Sequence, residues 1–166
     1  MTVVQAAIDV GTLLEESGGI LQYVLVFALA AIPVVEILFV VPIAIGLGLD
    51  PVLTGTVAFV GNVASVYVLI VVHEWLREWW RSRRSSAGSD SSSRYDRARR
   101  LWDRYGLPGL ALGSPVLTGV HVATLAALLA GSSARRTATW MTGGIAVWTV
   151  VLATASVFGF SLLGIV

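Results

Sequence analysis

Glu36 stands in AIPVVEILFVVP, between Pro33 and Pro42, in a run that carries no other charge from Ile20 to Leu49. An ionisable group in so apolar a run costs roughly 2.5 to 3.5 kcal/mol on insertion scales, which marks it as a candidate for binding a substrate or carrying a proton. His121, in SPVLTGVHVATL close to Pro115 and Gly119, is its counterpart. Histidine titrates near neutrality, so a facing glutamate and histidine can exchange a proton. The plainer readings are a protonated acid hydrogen-bonded between helices, or one at the membrane surface, and a histidine satisfied by a nearby carbonyl.

Asn62, in FVGNVAS, is the third polar residue in an apolar stretch. Asparagine bridges membrane helices for about 0.6 to 2 kcal/mol, so interhelical glue is its expected role and substrate contact the alternative. Gly61, Ala64 and Ser65 beside it permit close approach. Thr118 and Ser114 fall at an expected turn, where hydroxyls bind a ligand or, more often, satisfy freed backbone groups. Gly109 and Gly113 have the GxxxG spacing and are read as a packing face. The candidate substrate or proton path is therefore Glu36, His121, Thr118 and Asn62, with Pro33, Pro42, Pro115 and Gly119 as breakers of the helices that carry them.

No catalytic residue is assigned. The chain has no phosphate-binding GxxxxGK loop, no HExxH zinc pair and no GxSxG nucleophile turn, so an enzyme is the least favoured class. His73 and His121 lie far apart without clustered acids, which argues against a metal, and nothing calls for a cofactor. Cysteine is absent, so disulfides and thiolate ligands are excluded.

The elements that must position these residues are membrane helices. Of 166 residues 56% are hydrophobic and 13% charged, with a mean hydropathy of +0.83, against about a quarter charged in soluble domains. Four apolar blocks run Ile20–Leu49, Val52–Val72, Gly106–Gly131 and Thr137–Val166 in one membrane domain. The N-terminus has no basic leader and reads as mature chain, with residues 1–19 an interfacial segment. Block two fits one crossing, which needs about 20 residues, and ends in a belt of Trp75, Trp79 and Trp80. Block one is too long for one crossing and too short for two. Block three has the same difficulty and is dense in glycine and proline.

Charge narrows the choice. Residues 77–104 hold nine arginines against four acids, which places that loop in the cytoplasm. Its serine-rich centre reads as a flexible linker, and RYDRARRLWDRYG as an interfacial amphipathic helix. If block three crossed once, Arg135 and Arg136 would lie outside; if it is a hairpin entered from the cytoplasm, they stay inside. Arg97, Arg100 and Arg104, with Arg135 and Arg136, are candidate contacts for anionic headgroups. Nucleic acid is a less economical partner for that loop than the adjacent membrane. The expected fold is all-α and integral to the membrane: two inverted repeats, residues 20–75 and 105–166, each a re-entrant helical hairpin plus a transmembrane helix. Four plain transmembrane helices are the alternative.

EILFVVPI, Gly61–Asn62 and RYGLPGLALGSPVLTGVHVATLAALLAG resemble the small multidrug export membrane proteins, distantly similar to DedA-like (SNARE-associated, VTT-type) proteins. The match falls on Glu36, Pro42, Gly61, Asn62, Tyr105, Gly106, Thr118, Gly119 and the LAALLAG tail, within Ala31 to Ala155. Leu38 stands where the family motif has arginine, His121 where it has an aromatic, and the segment before Thr118 is shorter. The resemblance implies a small transporter with two re-entrant hairpins and, from the DedA-like side, movement of lipid carriers. The expectation is thus a multi-pass cell-membrane transporter, exporting a small molecule with proton coupling or flipping a lipid carrier. A non-transporting scaffold that organises lipid is the alternative. Membrane lipids are the expected partners, and a homodimer is plausible for so few segments.

Overall fold

The computed structural model describes residues 11–33, 36–83, 106–162 and 164, with backbone alone for Glu36 and residues 80–83. The interfacial helix expected over 94–105, with Arg97, Arg100 and Arg104, lies outside these residues. A helical stretch at 11–15 precedes six helices: α1 (Ile20–Ala31), α2 (Glu36–Gly46), α3 (Pro51–Arg83), α4 (Leu107–Leu117), α5 (Val120–Leu129) and α6 (Ala134–Leu162). The order is short, short, long, twice over. Among the described residues there is no strand.

The long helix α3 starts on a defined signal. Asp50 accepts the Leu53 N–H at 2.7 Å through Oδ1, and Pro51 follows at the first helical position, where its missing N–H costs nothing. Gly48 and Gly131 end α2 and α5 with φ of 86° and 89°, a backbone that side-chain-bearing residues resist. The next residues, Leu49 and Ser132, reach back to the carbonyls of Ala44 and Ala127 at 3.1 and 3.0 Å.

Those two glycines lie 83 residues apart, and the spacing recurs. Ile37, Val40, Val41, Ala44, Ile45 and Leu49 are buried, and so are Val120, Ala123, Thr124, Ala127, Leu128 and Ser132. Thr54, Ala58, Gly61, Asn62 and Val66 continue the register as Thr137, Met141, Gly144, Ile145 and Thr149. Two sequences with little in common therefore bury the same positions.

Close helix contact sits at matched glycines. A Cβ on Gly61 would run into the Phe27 carbonyl of α1, and one on Gly144 into the Ala111 carbonyl of α4. The GxxxG pair read as packing does not do this work. An added Cβ at Gly109 meets nothing within 4 Å, and at Gly113 only the Leu117 side chain of its own helix.

The long helices run antiparallel. Gly55 of α3 lies against Thr149 and Ala153 of α6, while Tyr67 and Thr142 approach at 3.5 Å. The short helices fold back in pairs. The Asp50 N–H donates to the Tyr23 hydroxyl at 3.2 Å, so α1 begins at the end of the molecule where α2 delivers the chain to α3.

Both long helices are apolar, with hydropathies of 2.1 and 2.0, yet only 33% and 17% of their most apolar windows are buried. The core helix of a soluble protein would be covered; these present apolar faces outward, as a helix in lipid does. Two boundaries differ from expectation. α3 continues past Val72 to Arg83, so residues 77–83 are helix rather than loop. Arg135 and Arg136 lie in the first turn of α6 rather than ahead of it.

Candidate functional site

Blocks one and three are each broken into two short helices. The first break follows Ala31, at Ile32 and Pro33, where Pro33 sits as expected. Pro42 does not break the chain: it lies inside α2, where it leaves only the Leu38 carbonyl without an intrahelical N–H. Pro115 likewise lies inside α4. It withdraws the N–H due to the Ala111 carbonyl, and Ser114 Oγ approaches that oxygen at 3.4 Å. The second break is at Thr118 and Gly119, whose N–H groups both reach back to the Ser114 carbonyl at 3.0 and 2.7 Å. Gly119, with φ of 82°, lets α5 start immediately.

His121 is the second residue of α5 and is 5% exposed. Its Nε2 lies 2.6 Å from Ser65 Oγ of α3, and the same hydroxyl lies 2.8 Å from the backbone carbonyl of Asn62 in its own helix. One hydroxyl proton cannot serve both. With that proton on the Asn62 carbonyl, His121 Nε2 must carry the hydrogen and donate; with Nε2 bare, the hydroxyl turns to it. The pair therefore has two proton arrangements without moving a heavy atom.

Asn62 differs from its expected role. It is fully buried, but neither its Oδ1 nor its Nδ2 has a hydrogen-bond partner, so it glues no helix to another. Each unmet group costs about 1 to 3 kcal/mol. On a helix of 3.6 residues per turn, Asn62 falls between the line of Ser65, facing α5, and that of Gly55, facing α6. Interpolation between the Gly55 and Tyr67 contacts sets it level with Ile145, its own counterpart 83 residues on.

The recurring register isolates these residues. Asn62 corresponds to Ile145, Ser65 to Trp148, His121 to Leu38 and Glu36 to Gly119. What both halves need for packing recurs; these polar residues occur in one half only, so the repeated packing does not require them. Asn62, Ser65 and His121 are brought together. Glu36 opens α2, and its side chain lies outside the described atoms. Thr118 is exposed at the second break, its Oγ1 3.5 Å from the Gly119 carbonyl. Ser65 was read as a packing residue; only its α5 partner reveals its part.

At the end where α3 finishes, Arg77 pairs with Glu74 at 3.8 Å, an exposed contact of small energy. Arg135 and Arg136 are exposed at the N-terminal turn of α6, where a cation is disfavoured by about 0.3 to 1 kcal/mol. They stand on the same end as Arg77 because α3 and α6 are antiparallel. Among the described residues no three acidic or histidine side chains are placed to hold a metal ion.

Residues 36–151 match the family model described as "Putative small multi-drug export protein". The chain belongs to that family. The match begins on Glu36 and takes in Asn62, Ser65 and His121, so the polar cluster falls within the small multidrug export region. No curated protein and no solved structure matches, and the likeness to DedA-like proteins is not among what the comparisons show.

Proposed function

We propose that this membrane protein is a small exporter, coupled to protons through Glu36 and His121, with a polar site at mid-depth around Asn62. The observation that carries the reading is the buried amide of Asn62, unpartnered on both atoms, three residues before the Ser65 that meets His121. A scaffold gains nothing from such a group, whereas a site that binds a passing polar group needs one. The family description adds export of small molecules; lipid-carrier flipping is the variant with a larger cargo. The chain is read as a transporter rather than an enzyme.

The topology that goes with this is two inverted repeats, each a re-entrant hairpin and a spanning helix. Helices of 12 and 11 residues measure about 18 and 16 Å, short of a hydrocarbon core of about 30 Å. Four plain crossings would make the second and fourth segments parallel, and the antiparallel α3 and α6 favour the hairpin reading instead. The N-termini of α2 and α5 then lie at mid-depth, near the polar cluster. The arginine-bearing end is assigned to the cytoplasm of a cell membrane, with Arg135 and Arg136 held for anionic headgroups. Membrane lipids and a second copy are the proposed partners.

Export is tested in cells lacking other exporters, by following accumulation of ethidium and of uncharged N-phenyl-1-naphthylamine at several external pH values. The chain should lower accumulation of at least one dye in a pH-dependent manner. Glu36→Gln should remove that pH dependence, at a cost of about tenfold or more in rate. Retention of the full pH profile by Glu36→Gln would rule out coupling through that carboxylate.

A further inference from the structure

Ser65 Oγ lies 2.6 Å from His121 Nε2 and 2.8 Å from the backbone carbonyl of Asn62, and the two proton arrangements open to it are not equivalent. A hydroxyl has one hydrogen to give and two lone pairs to accept with. If Nε2 carries a hydrogen, it donates to Oγ while the hydroxyl donates to the carbonyl. Both short contacts are then hydrogen bonds. If Nε2 has no hydrogen, the hydroxyl turns to it and its bond to the carbonyl is given up. That carbonyl keeps the helical N–H four residues on, so nothing is orphaned in either case. On this side of the ring the two arrangements differ by one hydrogen bond, in favour of the first.

We infer that Ser65 is a positioning residue for His121: it holds a hydrogen on Nε2, so that the proton the ring gains and loses is the one on Nδ1. Nε2 then donates to Ser65 from the neutral and the charged ring alike. The contact between α3 and α5 lasts through a protonation cycle, and Nδ1 is the atom left for exchange with Glu36. With the opposite assignment the hydroxyl would have to turn away from the ring whenever a proton arrived. Neighbouring charges offer little competition. Of the helices packed against α5, α4 carries no titratable side chain and α6 none beyond Arg136. On α3 the nearest are Tyr67, which is exposed and meets Thr142, and His73, two turns further on. The inference deepens the proton coupling of the proposed function, but the place of the hydrogen does not depend on export.

The test is solid-state NMR of the full chain in lipid bilayers with isotope-labelled histidine, which tells a ring nitrogen bearing hydrogen from one without. The chain has two histidines, so His73→Gln leaves the signals of His121 alone. At alkaline pH the hydrogen should be on Nε2, and acidification should add one at Nδ1 without removing it. Ser65→Ala should lower the ratio of the Nε2–H to the Nδ1–H form about fivefold, as expected for the loss of one hydrogen bond. Ser65→Thr, which keeps a hydroxyl, should retain the original ratio. A neutral ring with its hydrogen on Nδ1, or a ratio unchanged in Ser65→Ala, would overturn the inference. So would Ser65→Thr behaving like Ser65→Ala. The spectrum needs neither cargo nor a pH gradient, so an Nε2–H ring in a chain that exports nothing would overturn the transport reading alone.

Discussion

Gly144→Val destabilises the protein by about 3 kcal/mol or more, seen as a drop in thermal midpoint in detergent and loss of the monodisperse species. The added Cβ is directed at the Ala111 carbonyl, a backbone atom that no rotamer change can move aside. α4 and α6 must part, and the Trp148 indole N–H then loses the Leu112 carbonyl that it holds at 2.6 Å. Gly61→Val should have a comparable effect against Phe27. Gly143 is the internal control, since an added Cβ there meets nothing within 4 Å. Gly143→Ala should be neutral or stabilising by up to about 1 kcal/mol through helix propensity. Equal tolerance of Gly143→Ala and Gly144→Val would mean that the close approach of α4 to α6 is wrong.

Asn62→Leu should move stability and function in opposite directions. It removes two buried groups that have no partner, so the thermal midpoint should rise, by the equivalent of about 2 kcal/mol or more. The repeat shows that an aliphatic side chain suits the position, because Ile145 occupies the matching place in α6 and is 1% exposed. Export of the dyes should meanwhile fall to background. Had Asn62 been interhelical glue, the same substitution would lower the midpoint. A destabilised but active variant would therefore contradict the role assigned to it here.

The sequence carried the architecture further than the site. Blocks one and three have lengths that fit neither one crossing nor two, and Arg135–Arg136 share the sign of the basic loop; together these pointed to paired short helices and two long ones. The breaks were harder to place. Pro33 falls in one, but Pro42 is accommodated inside α2, since a proline removes a single hydrogen bond and neighbouring contacts decide whether the helix ends. The end of α3 was missed because its amphiphilic tail, Trp75 to Arg83, resembles the start of a loop in composition. The polar candidates Asn62 and His121 were legible as misfits in apolar runs. That Ser65 meets His121 was not, because the hydroxyl of one helix meets an imidazole 56 residues away only once the second break sets where α5 begins. The 83-residue spacing was equally hidden. It is kept in burial and in the glycines at 48, 61, 131 and 144, while most other residue types differ.

The central claim is that each half enters and leaves the membrane on one side before crossing it, which puts the Asn62–Ser65–His121 cluster at mid-depth. The chain has no cysteine, so single cysteines at Glu16, Ser91 and Ser133 can be labelled with a membrane-impermeant maleimide from either side. Ser91→Cys and Ser133→Cys should react from the cytoplasmic side and Glu16→Cys from the opposite side. Labelling of Ser91→Cys and Ser133→Cys from opposite sides would mean that block three crosses the bilayer, and would remove the mid-depth site with it.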